Sequence, residues 1–101
     1  AARALLPGSD LDGIFGVTDE IALGVLNTAR FELGLSVPAD LSVIGFDDAP
    51  ISSWNSHDLT TISQPIDALT RATIEAIELP LDAPPARIDI PVELMERGTI
   101  A

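Results

Sequence analysis

The sequence predicts an α/β fold: a parallel sheet built from βαβ units. Three observations carry this expectation. Leu41-Ser42-Val43-Ile44-Gly45-Phe46 is a short apolar run without polar/apolar alternation, the pattern of a strand buried on both faces in a helix-covered parallel sheet. Gly13-Ile14-Phe15-Gly16-Val17 is a second run of the same kind. Between them Ile21, Ala22, Val25, Leu26, Ala29 and Leu33 recur at helical spacing and define a buried helix face. Strand, helix and strand within about thirty-five residues make a βαβ unit with a right-handed crossover.

Taken in order, Ala1 to Leu6 reads as the last turns of a helix, with Pro7-Gly8 as its stop. Ser9 to Asp12 is a polar loop and Gly13 to Val17 the first strand. Asp19 is the expected N-cap of the helix that follows, because its carboxylate can accept from the free amides of the first turn. Gly34 suits the left-handed position that ends a helix, and Val37-Pro38-Ala39-Asp40 is a turn into the central strand. Asp47 and Asp48 stand at that strand's carboxyl end, where open α/β sheets bind ligands. Ala49 to Asp58 is a loop or short helical turn. Leu59 to Ser63 reads as a third strand, broken by Gln64-Pro65. Ile66 to Leu79 is helical, with Ile66, Leu69, Ala72, Thr73, Ala76 and Ile77 on one face. A proline-stiffened link, Leu81 to Ala86, leads to Arg87–Met95, expected as an edge strand because it carries Pro91.

Composition narrows the functions available. The chain has 101 residues, 47% of them hydrophobic, enough for a packed core. It has no cysteine, which excludes disulfides, thiolate chemistry and cysteine metal sites. The formal charge is −11, and the basic residues, Arg3, Arg30, Arg71, Arg87 and Arg97, are scattered. Nucleic-acid binding needs clustered cations to neutralise phosphates, so no DNA binding is expected of these residues. No apolar run is long enough to span a bilayer, and the first residues do not read as a secretory signal. The chain lacks an initial methionine, which points to a segment taken from a longer protein.

Several segments together resemble a known family. Thr18-Asp19-Glu20-Ile21-Ala22-Leu23-Gly24, Gly34 through Asp48, Leu59-Thr60-Thr61-Ile62-Ser63-Gln64-Pro65 and Glu96-Arg97-Gly98-Thr99 stand in the order and spacing of the lactose/galactose-repressor (LacI/GalR) family of sugar-responsive regulators. The resemblance runs from about Asp12 to Thr99. It implies part of a periplasmic-binding-protein-like (type I) fold, in which two α/β subdomains enclose an effector, preceded in the intact protein by a DNA-binding helix-turn-helix. On this reading residues 1–64 are a partial C-terminal subdomain. Residues 65–80 are the crossover and a helix that packs on the N-terminal subdomain, and residues 81–101 are the return strand and tail. The early strands of the parent sheet and the helix-turn-helix are expected to lie outside this sequence.

The resemblance assigns the site. Asp47 alone reads as a loop-capping aspartate; the family places it at the effector, where a carboxylate accepts from sugar hydroxyls. Its neighbour Asp48 is expected to point elsewhere and be structural. Thr18 stands where the family commonly has an asparagine, keeping a hydroxyl but losing the amide's donor and acceptor. Ile66 matches an apolar pocket-wall position that is often aromatic in the family; its other reading is a helix-face core residue. For a homodimer interface the expected residues are Leu23, Ile51, Trp54 and Asn55, with Leu23 off the buried face of its helix. His57 is a lone surface histidine without metal-ligand spacing, and neither a metal nor a cofactor is expected.

The function so implied is a sugar-sensing, dimerising segment of a cytoplasmic transcriptional regulator. Its partners would be a small-molecule effector, a second copy and, through the absent helix-turn-helix only, DNA. A periplasmic sugar-binding protein of an ABC transporter shares the fold and is the alternative. An enzyme is not expected. Adjacent Asp47 and Asp48 cannot flank a glycosidic bond as paired carboxylates do, and there is no nucleophile elbow, phosphate-cradling loop or metal motif. Finally, the helix from Ile66 carries an apolar face that relatives bury elsewhere. Either it folds back on the chain's own strands, or two copies cover each other, the favoured outcome.

Overall fold

The computed structural model describes residues 1–101. In chain order the elements are α1 (Ala2–Leu5), β1 (Gly13–Phe15), α2 (Asp19–Asn27), β2 (Ser42–Ile44), β3 (Thr61–Ser63), α3 (Ile66–Glu78) and β4 (Glu93–Met95). A π-helical turn, Thr28–Glu32, prolongs α2, and a 3₁₀ turn, Pro50–Ser53, follows β2.

β2 is the axis of the molecule. β1 lies parallel on one edge, with Ile14 opposite Val43. The other edge is assembled from separate pieces. Val43 N–H donates to Thr99 O at 2.8 Å, Gly45 N–H to Thr60 O at 2.9 Å and Asp47 N–H to Ile62 O at 2.9 Å. Thus β3 follows β2 through isolated parallel bridges, Ile44 to Thr60 and Asp47 to Ser63, and β4 pairs antiparallel with β3. The non-alternating apolar run marks the strand paired on both edges, but the expected burial on both faces is not met: only one face is covered by a helix, Ser42 and Ile44 are half-buried, and in the second run Phe15 and Val17 are exposed.

One side of this sheet is covered by α2. The core joins Ala22, Leu23, Val25, Leu26 and Ala29 of the helix to Leu41, Val43 and Leu59, with Ala2 and Leu6 closing the end. The helix is rotated from the face expected. Leu23, assigned to a dimer interface, is only 8% exposed and belongs to the core, whereas Ile21, expected inside, is 51% exposed. The reason lies at both ends of one strip of α2. Asp19 binds the Ala49 amide, and Arg30 Nη1 donates to the carbonyl oxygens of Ser56 and His57. Residues four apart share a helix face, so Leu23, between these anchors, is drawn beneath the 49–57 loop.

The helix start also differs from expectation. Thr18, at φ −139°, is the N-cap, and its Oγ1 accepts from Ile21 N–H at 3.3 Å. Asp19 is the first helical residue and serves another purpose. The expected left-handed glycine after the helix is found, with Gly34 at φ 67°.

α3 has no buried residue, and its Ile77 is 77% exposed. It leaves the sheet after Pro65 and stands away from the core, so the less favoured of the two outcomes, fold-back onto the chain's own strands, does not occur. The edge strand is shorter than expected, since residues 87–92 take no regular structure and only Glu93–Met95 pair. The result is elongated, 55 × 26 × 18 Å with a radius of gyration of 17.5 Å, against about 13 Å for a compact chain of 100 residues.

Candidate functional site

The carboxyl end of β2 carries the candidate site. Asp47 and Asp48 both have positive φ, 122° and 53°, conformations that side chains with a Cβ rarely adopt. The turn exposes the Asp47 carboxylate, whose Oδ1 accepts from Gln64 Nε2 at 2.8 Å. Asp48 turns the other way, as expected, and its Oδ1 meets Arg97 Nη2 at 2.6 Å, with both side chains mostly buried. Arg97 also donates from Nη1 to Leu59 O at 2.8 Å, so one guanidinium ties the turn to the start of β3.

Beneath the turn lies a buried carboxylate. Asp19 is 1% exposed. Its Oδ2 accepts from Ala49 N–H at 2.8 Å and from Ser52 Oγ at 2.6 Å, and its Oδ1 accepts from Thr61 Oγ1. A buried charge survives only when its lone pairs are met, and here α2, the 3₁₀ turn and β3 each contribute. Gly45 is required for this approach: a Cβ there would stand 2.2 Å from Asp19 Oδ1. The glycine in the central strand is therefore a packing device for the carboxylate next to the site.

The C-terminal motif is built into the same frame. Thr99 is fully buried; its Oγ1 donates to Val43 O at 2.6 Å and accepts from Thr60 N–H at 2.9 Å. Thr60 Oγ1 in turn accepts from Arg97 N–H at 2.9 Å. Glu96-Arg97-Gly98-Thr99 thus fastens β2 to β3 where the regular ladder is missing.

Of the residues assigned to the effector, Asp47 stands at the mouth of the turn and Thr18 caps α2 three residues beyond the end of β1. Ile66 opens α3 and is 63% exposed, so it joins no core within this chain. None of these three lines a concavity of the chain; a hollow of about 290 Å³ beside the crossover is lined by Ser63, Pro65, Pro91, Val92 and Glu93. Trp54 is 59% exposed and stacks on His57 with ring centroids 6.5 Å apart. Ile51 and Asn55 are exposed on the same loop. Gln64 and Arg97 were not singled out as site residues from the sequence. Gln64 read only as a strand breaker, although both residues lie in segments that carry the family resemblance. No cluster of three or more His, Asp or Glu side chains has the arrangement of a metal site.

A family model described as a periplasmic binding protein-like domain matches residues 1–100. The MalR transcriptional regulator of Streptomyces coelicolor is 36% identical over 105 residues, a match spanning 100% of this chain and 30% of that protein. The solved structure of a LacI family transcriptional regulator from Enterococcus faecalis, with bound ribose, superposes at a TM-score of 0.77 and 33% identity. This chain is part of a LacI-family periplasmic-binding-protein-like domain. The match to the Enterococcus faecalis regulator covers 99% of this chain and 39% of that one. The ribose operon repressor of Halalkalibacterium halodurans is 40% identical over 103 residues, 96% of this chain and 30% of its own length. This LacI-family chain therefore spans about a third of the length of the curated relatives it matches. Those relatives are transcriptional regulators, not enzymes.

Proposed function

We infer that this chain is the C-terminal part of the effector-sensing domain of a LacI-type transcriptional regulator, and that its effector is a sugar held by Asp47. The observation that carries the reading is the Asp47 carboxylate itself: exposed, charged, at the carboxyl end of the doubly paired strand and held in a backbone conformation that costs free energy. Strain retained at a site is accounted for by what its side chain does there. A carboxylate with a free Oδ2 suits a ligand rich in hydroxyl donors, and relatives named as ribose-bound or ribose repressors agree with that chemistry.

In this reading Thr18 offers its hydroxyl proton, since its lone pair already caps α2, and Ile66 supplies an apolar wall. Sites of this kind bury most of the ligand, so the open surface at Asp47 requires a second wall from the rest of the parent protein. Residues 1–64 form one side of the cleft, 65–80 cross to the other side and 81–101 return. The parent acts in the cytoplasm as a homodimer through the loop bearing Ile51, Trp54 and Asn55. Leu23 is withdrawn from that interface because it is buried. DNA is met through a helix-turn-helix outside these residues. The transporter alternative is disfavoured because the matched relatives are regulators.

Calorimetry on the full-length protein with ribose and a panel of related sugars tests the reading. Charge-assisted hydrogen bonds contribute about 1.5–3 kcal/mol each, so Asp47→Ala is expected to weaken the best-bound sugar at least about tenfold. Unchanged affinity would remove Asp47 from the site.

A further inference from the structure

Two consecutive left-handed aspartates form an improbable turn unless the surroundings over-determine it. Each is tied down by a side chain from a distant part of the chain. Gln64 Nε2 reaches Asp47 Oδ1 at 2.8 Å, and Ile62 O accepts the Asp47 amide at 2.9 Å. Asp48 gives its amide to Thr61 Oγ1 at 3.3 Å and its carboxylate to Arg97 at 2.6 Å. The contact between Gln64 and Asp47 is exposed, so it is not needed to satisfy a buried group; water would serve either partner. Its effect is directional. It engages Oδ1, sets the plane of the carboxylate and leaves Oδ2 open. Arg97 acts one residue further on. Its planar fork binds Asp48 and the Leu59 carbonyl together, a geometry that an ammonium cannot reproduce.

We propose that Gln64 and Arg97 are positioning residues of the effector site: Gln64 aims the Asp47 carboxylate, and Arg97, through Asp48, holds the left-handed turn that carries it. The proposal rests on the reading of Asp47 as the effector's acceptor. Gln64 belongs to the crossover into α3, and Arg97 to the segment that returns from it. Binding at Asp47 is thereby linked to both segments that leave this subdomain, and linkage of this kind is reciprocal.

The test uses the full-length protein with Gln64→Met, Arg97→Met and Arg97→Lys. Two quantities are read: hydrogen exchange at the Asp47 and Asp48 amides, with Leu26 in α2 as internal reference, and calorimetric affinity for ribose. Local opening reports the stability of a segment apart from the whole. Arg97→Met is expected to speed exchange at Asp47 and Asp48 by about tenfold while Leu26 is unchanged, and Arg97→Lys to recover part of that protection, because one charged hydrogen bond survives. Gln64→Met is expected to speed exchange at Asp47 but not at Leu26, and to weaken ribose at least about fivefold, the loss of one hydrogen bond's aim. Equal acceleration at Leu26 would show that the contacts are merely structural. Lysine no better than methionine, or undisturbed exchange at Asp47 in Gln64→Met, would overturn the proposal. Should the unmodified protein ignore ribose, the choice of sugar fails while the exchange experiment still decides the positioning. Should Arg97→Met not fold, the half-exposed Gln64 side chain decides alone.

Discussion

Asp47 sets function against stability at a single residue. Its φ of 122° carries a cost of about 1–3 kcal/mol for a residue with a Cβ. Glycine removes that cost but adds about 0.5–1 kcal/mol of unfolded-chain entropy. Asp47→Gly in the full-length protein is therefore expected to raise stability by about 1 kcal/mol while weakening sugar binding at least about tenfold. A lower denaturation midpoint would show that the turn is unstrained. Asp19 behaves oppositely. Deleting its carboxylate strands the Ala49 amide and the hydroxyls of Ser52 and Thr61, and a buried donor left unsatisfied costs about 1–3 kcal/mol. Asp19→Ala is expected to lower the urea midpoint by that order, and Gly45→Ala to resemble it, because the new methyl would collide with the same carboxylate. A neutral Gly45→Ala would place the glycine's importance elsewhere.

Among the elements, α2 and α3 are opposites. The first is wrapped by β2 and the 49–57 loop; the second has no buried residue. A lone helix of this length is marginal in water. In the isolated chain, diluted until it is monomeric, the α3 amides are expected to exchange nearly as fast as those of a free peptide, while Ala22 to Leu26 remain protected. Uniform protection would mean that α3 has found cover. α1 is tethered differently, by Arg3 to Glu32 at the end of the π turn. The hydrogen bond from Arg3, aided by its charge, holds the Glu32 carboxyl below its usual range. A depressed acid contributes stability above its unfolded pKa and loses it as pH falls through the lower folded value. Both groups are exposed, so the effect is local: acidification below the usual carboxylate range should release α1, seen as shifts of its amide resonances. Arg3→Gln should move that titration upward; an unmoved titration would exclude the pair as its cause.

At the scale of the molecule, large apolar side chains remain uncovered on α3 and along the return, including Ile66, Ile74, Ile77, Leu81 and Ile88. Contiguous apolar surface of this kind seeks a partner. Sedimentation of the isolated 101-residue chain is expected to show self-association that weakens on dilution; a well-behaved monomer would contradict it. The same chain carries a net charge of −11 with dispersed arginines, three of which are engaged as Arg3–Glu32, Arg87–Asp89 and Arg97–Asp48 pairs. With no cationic face to neutralise phosphates, a low-salt gel shift should show no complex with duplex DNA.

The sequence by itself determined the elements, because they answer to local physics. The run at Leu41–Phe46 marked the central strand, though only one of its faces is covered, Gly34 had to end a helix, and the carboxylates after Phe46 had to stand at a strand's carboxyl end. Its motifs also determined the family. Only the tertiary structure decided the rotation of α2, which exchanged Leu23 for Ile21, because that depends on Asp19 and Arg30 reaching a loop some thirty residues away. It alone decided the role of Asp19, whose three donors come from segments that no spacing rule connects. The partnership of Gln64 with Asp47 and of Arg97 with Asp48 likewise requires β3 and the tail to lie beside β2, and contacts between residues far apart in the chain leave no periodicity to read.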